Sequence, residues 1–186
     1  MSVSTEFFVM SAAELPTVFP GWLPVRPEAF TREVVNPFTG KTSVVKTWLP
    51  AVDPPVSAAE TRVPEFGNVA RRAFHRIDHV KLGQLLLIMS GGDFKTRIEQ
   101  LARPALIAPA ESEETGLHRI DDEFATALAG LDGSRLAKTA VEWAQTEEMR
   151  RDRFTVAHCE TVLCDLAKLA QQAQGSQQGL YFYWSL

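Results

Sequence analysis

The chain has 186 residues, of which 45% are hydrophobic and 23% charged, a length and balance that allow one domain with a sizeable core more readily than two. Its 19 basic and 23 acidic residues give a net charge of −4. That excludes both the basic excess of a dedicated nucleic-acid binder and the acidic, aromatic-poor profile of a disordered tail.

The first basic residue is Arg26 and Glu6 stands in the opening stretch, so the basic and apolar regions of a secretory signal are both missing. Thr5 to Met10 (TEFFVM) is a short aromatic and β-branched run that reads as a strand. Ser11 to Glu14 has the spacing of a capping box, so a short helix is expected, stopped near Pro16. From Phe30 to Trp48 the runs REVV and SVVKTW flank Asn36-Pro37-Phe38-Thr39-Gly40, a hairpin signal because proline fixes one φ and glycine permits a positive one. Nine of the eleven prolines fall between positions 16 and 64, which makes Leu49 to Asn68 a surface-hugging connection within a single domain spanning 1–186.

The rest of the chain reads as mainly helical. Asp78 can cap a segment carrying Leu82, Leu85, Leu86 and Met89 that Gly91-Gly92 stops; a buried strand through Leu85 to Met89 is the competing reading. This aliphatic run is far shorter than the roughly 20 residues of a membrane span. A short strand or turn is expected at Pro104 to Pro109. Asp121 to Leu131 places Phe124, Leu128 and Leu131 on one side of a helix ended by Asp132-Gly133. Ser134 opens another helix with Leu136, Ala140, Trp143 and Ala144. A third, from about Thr155, aligns Cys159, Val162, Leu163, Leu166, Leu169, Ala170 and Ala173 before Gly175. Leu180 to Leu186 alternates Leu, Phe, Trp, Leu with Tyr, Tyr, Ser, the pattern of a half-buried strand. The expected fold class is α+β, a small, mainly antiparallel sheet with helices packed mostly on one face and a three-helix C-terminal half.

The order strand, helix, apolar segment from Ile77-Asp78-His79-Val80-Lys81 to Gly91-Gly92, then three helices and an aromatic C-terminal strand, resembles the YfbM-like family of small bacterial proteins. The resemblance covers about two thirds of the chain and is carried by Leu86, Leu87, Gly91 and Gly92, by the Pro104 to Pro109 lead into a helix, and by the long last helix with its strand. Leu82 stands where the family tends to have serine and tryptophan, and the Phe30 to Trp48 hairpin is an addition. The resemblance implies an α+β fold and a bacterial cytoplasmic setting, and it gives no residue a role.

Chemical motifs are sparse. His75 and His79 are four apart, but with Asp78 as a cap His75 precedes the helix, there is no HExxH glutamate, and a third metal ligand is lacking. His158-Cys159-Glu160 with Cys164 is a second His/Cys cluster, yet Cys159 lies on the apolar stripe. Two cysteines five apart on a helix are about 8.6 Å from each other, beyond the reach of a disulfide, which suits a reducing cytoplasm. Neither Ser90-Gly91-Gly92 nor Gly133-Ser134 has the G-x-S-x-G frame. Gly91-Gly92 also lacks the Gly-Lys ending of a phosphate loop. Asp121-Asp122-Glu123 fits a helix N-terminus, where the dipole favours it.

Charge is unevenly placed. Residues 61–103 hold eight basic and four acidic side chains, whereas residues 104–186 hold seven and thirteen. The candidate binding residues are Arg71, Arg72, Phe74, His75, Arg76, His79 and Lys81, a basic rim around an aromatic anchor that suits an acidic protein partner. The alternative is that these cations bridge to the acidic C-terminal helices. No cofactor, metal, nucleic acid or membrane partner is expected. The functional expectation is a non-enzymatic cytoplasmic interaction module, an accessory or toxin-neutralising protein; the alternative is a small hydrolase or transferase with a site assembled from distant residues.

Overall fold

In the computed structural model, which describes residues 4–20, 22–24, 30–35, 42–47, 64, 66–101, 107–108 and 115–185, the two ends of the chain form the centre of one sheet. Strand β1 (Ser4–Met10) leads through helix α1 (Leu15–Val18) to β2 (Leu23–Pro24), then to the hairpin strands β3 (Phe30–Val35) and β4 (Thr42–Thr47). β5 (Arg71–His75), α2 (His79–Ser90), α3 (Phe94–Leu101), β6 (Ile107–Ala108) and β7 (Thr115–Arg119) follow. The chain closes with α4 (Asp122–Ala129), α5 (Gly133–Ala144), α6 (Glu147–Arg151), α7 (Val156–Ser176) and β8 (Gly179–Ser185). The main sheet has the order β5-β1-β8-β7, antiparallel throughout. β2 pairs with β6, and β3 pairs with β4 from Phe30 opposite Thr47 to Val35 opposite Thr42. The turn between β3 and β4, and the proline-rich connection up to position 63, lie outside the described residues.

Strand alternation sorts side chains between two cores. Phe7, Val9, Leu180 and Phe182 face the helices and join Leu82, Leu86, Phe124, Leu128, Trp143, Leu163 and Leu166 in the larger cluster. Phe8, Met10, Leu117 and Tyr181 face the other way, onto Leu15, Val18, Phe19, Trp22, Phe66 and Ile107. Most helices therefore cover one face, as an α+β chain of this pattern requires. The second face is not left to water. Tyr181 is fully buried and stacked on Phe8 at 5.6 Å, so the expected half-buried strand is covered on both sides over its first residues, because Phe19 and Trp22, which follow α1, and Phe66 supply a second aromatic layer.

Local chemistry sets most helix starts. Asp78, Asp121, Asp132 and Thr155 are N-caps whose side-chain oxygens accept from the N–H three residues on, satisfying donors that have no intrahelical partner. Three boundaries differ from expectation. Pro16 opens α1 instead of stopping it, since a first-turn residue needs no N–H. Asp132 caps α5 where it was expected to end the preceding helix. α7 runs through Gly175, and Gln177 takes the left-handed position at φ 56°. α3, α6, β2, β5 and β7 have no counterpart among the expected elements.

Gly116 shows how closely β7 approaches β8. A Cβ there would run into the Trp184 indole, whose Nε1 donates to His118 Nε2 at 3.1 Å while the His118 ring stacks on Phe182 at 4.8 Å.

Candidate functional site

The seven candidate residues lie on β5, on the turn that follows it and in the first turn of α2. Among the described residues β5 is an edge strand, bonded to β1 on one side. Its alternation sends Arg71 toward the smaller core, where the guanidinium lies 5.1 Å from the centre of the Phe66 ring and pairs with Glu6 at 2.7 Å. Arg72 turns to the helix face and approaches Asp165 of α7 at 3.6 Å. Both arginine side chains remain about half exposed, at 47% and 53%. His75, Arg76 and His79 are exposed as well. Phe74 is half-buried against Phe7, with ring centres 5.7 Å apart in an edge-to-face contact, so it offers less of an anchor than its position in the sequence suggested.

Lys81 leaves this surface altogether. Its side chain is 2% exposed and its Nζ lies between two carboxylates, Asp78 Oδ2 at 2.9 Å and Asp152 Oδ2 at 2.8 Å. Asp78 caps α2 by accepting from Lys81 N–H at 3.0 Å, and one turn of helix folds the lysine back toward the cap. Trp143 Nε1 donates to the Lys81 carbonyl at 3.0 Å. Gln84 donates to Glu148, and its own Oε1 is buried without a partner among the described residues. An ammonium so placed cannot meet an incoming protein. Its role is to tie the start of α2 to the turn after α6, and it corrects the expectation that Lys81 belongs to the binding rim. The two aspartates are about a quarter exposed. The hydrogen bond from Lys81, followed by the charges of Lys81, Arg151 and Arg76, holds Asp152 below the ordinary aspartate range.

The expected bridging of the basic segment to the acidic C-terminal half is thus divided. Arg72 and Lys81 reach Asp165 and Asp152, whereas Arg71 turns to Glu6. Arg76 stands apart by its backbone, at φ 62°, where a residue with a Cβ is held at a cost of about 1–2 kcal/mol. Arg76→Gly removes that cost and returns about 0.4–1 kcal/mol of unfolded-chain entropy, so a rise in stability of up to about 1 kcal/mol is expected in urea denaturation. A lower midpoint would show that the pull of the guanidinium on Asp152 outweighs the backbone strain.

The other chemical candidates are dispersed. His75 ends β5 and His79 starts α2, with the cap Asp78 between them. His158 is exposed and its Nδ1 lies 3.2 Å from Thr155 Oγ1. Cys159 is buried and desolvation pushes its thiol up to about 11, the opposite of an activated nucleophile. A half-open cleft of about 730 Å³ is lined by Gln100, Arg119, Asp122, Gln174, Gln177 and Tyr181 among others, and a shallower hollow of about 440 Å³ lies beside Cys164 and Lys168. Neither is lined by Asp78, His79 or His158. No group of three or more His, Cys, Asp or Glu poised for a metal occurs among the described residues.

Glu6, Asp152 and Asp165 are the partners that the sequence did not disclose. Asp78 with Lys81 has a helical spacing that could have been read as a cap carrying its own ion pair; the other three meet the basic segment only through the sheet and the helix packing. No family model, no curated protein and no solved structure matches the chain.

Proposed function

We propose that this chain is a protein-interaction module, of an accessory or toxin-neutralising kind, that receives an acidic protein partner on the basic rim formed by Arg71, Arg72, His75, Arg76 and His79. The observation that carries this reading is the placement of four of these five side chains, all exposed, on or just beyond an edge strand. The arginine pairs on this rim are surface pairs, worth about 0–1 kcal/mol each, and they leave the guanidiniums open to exchange Glu6 and Asp165 for carboxylates of a partner. A reducing cytoplasm suits the two unbridged thiols, Cys159 and Cys164. Among the described residues, no helix is long and apolar enough to cross a membrane.

The test is capture of partners from the source cell by the parent chain and by a variant carrying Arg71→Glu, Arg72→Glu and Arg76→Glu. The variant is expected to fold, because its substitutions are exposed, and to lose an acidic partner whose capture by the parent weakens with salt. Glutamine at the same three positions serves as a gentler variant, free of new repulsion with Glu6 and Asp165. If the charge-reversed chain folds and captures the same proteins with the same salt dependence, the rim is a solvated face and the reading fails.

A further inference from the structure

We infer that the partner segment binds as an added strand: an extended, acidic stretch of polypeptide pairs with the open edge of β5 and continues the sheet. This rests on the reading of the basic rim above and specifies what the rim receives. The main-chain geometry carries it. Val9 N–H donates to the Ala70 carbonyl at 3.1 Å, one step beyond the Phe8 and Arg71 end of the ladder between β1 and β5. In an antiparallel ladder hydrogen-bonded and non-hydrogen-bonded pairs alternate. Arg72 and Phe74 therefore spend their main-chain groups on β1, and Arg71, Ala73 and His75 turn theirs outward. The Arg71 carbonyl is met by Arg72 Nη1 at 2.8 Å. Among the described residues nothing bonds to the outward groups of Ala73 and His75.

An edge of this kind is a template for another strand, and side chains at its margin select which one. A second copy of the chain is disfavoured by charge. Antiparallel pairing about Ala73 would gather Arg71, Arg72 and Arg76 of both copies along one seam, and like charges facing each other across strands destabilise the pair. An acidic segment reverses that sign. Opposite positions 75 to 71, in order, the complementary strand carries acid, an apolar residue over Phe74, a small residue beside Ala73, then acid and acid, and one further acid precedes it beside Arg76, beyond the end of β5. Arg72 must leave the Arg71 carbonyl when it binds, which exchanges one charge-assisted bond for a carboxylate contact and a main-chain bond.

The probe is a blocked hexapeptide, Glu-Glu-Val-Thr-Glu-Glu, titrated into the intact chain at low salt and followed by the amide signals of β5. Binding is expected to shift Arg71, Ala73 and His75. N-methylation of the threonine, whose N–H would face Ala73, is expected to weaken binding by about tenfold or more, whereas N-methylation of the valine, whose N–H points away, leaves it within about threefold. Ala73→Pro removes the outward N–H of the edge without changing charge and is expected to abolish binding; the modified peptides test the same bond with the protein unaltered. Strand addition is overturned if the parent peptide does not bind, or if the threonine-methylated peptide binds as well as the parent. Slow exchange of the Ala73 and His75 amides in the free chain would overturn it too, since the edge would then be covered already, by a second copy if the protection depends on concentration. If the methylated peptides bind alike and the charge-reversed rim binds none of them, the rim reading survives without strand addition. If the charge-reversed rim still binds the parent peptide, both readings fall.

Discussion

Replacing Lys81 by methionine is expected to cost about 3 kcal/mol, because it removes the ammonium that two carboxylates share and leaves their charges facing each other beside a buried apolar stem. The aspartates are about a quarter exposed, which keeps the cost at the lower end of what breaking a buried pair entails. In a chain of this length that corresponds to a fall in melting temperature of about 6–12 °C. The triple change Lys81→Met, Asp78→Asn, Asp152→Asn is expected to recover most of the loss, since asparagine still caps α2 and no charge is stranded. If Lys81→Met alone melts with the parent, the triad contributes nothing and Lys81 is a passive filler. Acid titration gives an independent reading. Asp152 is held below its ordinary value of 3.8 in the folded chain, chiefly by the Lys81 hydrogen bond. Its contribution is therefore complete above that value and is lost as pH falls toward the lower folded value, where the folded and unfolded states bind equal numbers of protons. In Lys81→Met the main cause of the depression is gone, so the decline of stability below about pH 4 should be shallower than in the parent.

Removal of residues 181–186 is expected to abolish the fold. β8 lies between β1 and β7, so its loss leaves β7 without a sheet and β1 with β5 alone, a two-stranded ribbon that is marginal in water. Tyr181 and Phe182 are each at most 2% exposed and fall in different cores. Burying each contributes roughly 1.5–3 kcal/mol, and the uncovered faces of Phe7, Phe8 and Leu163 add comparable terms, a total that rivals the usual 5–15 kcal/mol of a domain. Circular dichroism and sizing of the truncated chain should report an unfolded or aggregated species. A monomer with the parent's melting temperature would show that the strand is peripheral. A milder variant, Phe182→Ala, is expected to cost about 3–5 kcal/mol by opening a cavity against Phe7 and His118.

Several elements were legible because the interactions that define them are local. Asp78, Asp121 and Thr155 sit a few residues from the N–H groups they cap, and Gly91 takes the positive φ of 67° expected after the apolar segment. Cys159 to Ala173 repeat with the helical period, and Leu180, Phe182 and Trp184 alternate. β5 and β7 were not legible. Arg-Arg-Ala-Phe-His and Thr-Gly-Leu-His-Arg each hold one large apolar residue, and they become strands because β1 and β8 offer main-chain partners at their edges. The candidate site was half legible: the arginines are on the surface as their charge suggests, but the fate of Lys81 depended on Asp152, a residue of another helix junction.

The sequence by itself determined where α2, α4 and α7 begin, which stripe of the last helix is apolar, that the C-terminal residues alternate, and that basic charge gathers near Arg71 while acid gathers in the C-terminal half. Those properties depend on neighbours within one or two helical turns. Tertiary structure alone decided that β5 is an edge among the described strands, that both faces of β8 are covered over its first residues, and that Lys81 is buried while the other cations of positions 71–79 stay exposed. Each of these requires groups far apart in the chain to meet, and the encounter is set by strand order and by the competition for buried area between two cores. No spacing along the chain encodes that competition: Lys81 is drawn inward because packing α2 and α6 against Trp143 brings two carboxylates to one ammonium, and Arg72 stays outside because its strand ends the sheet.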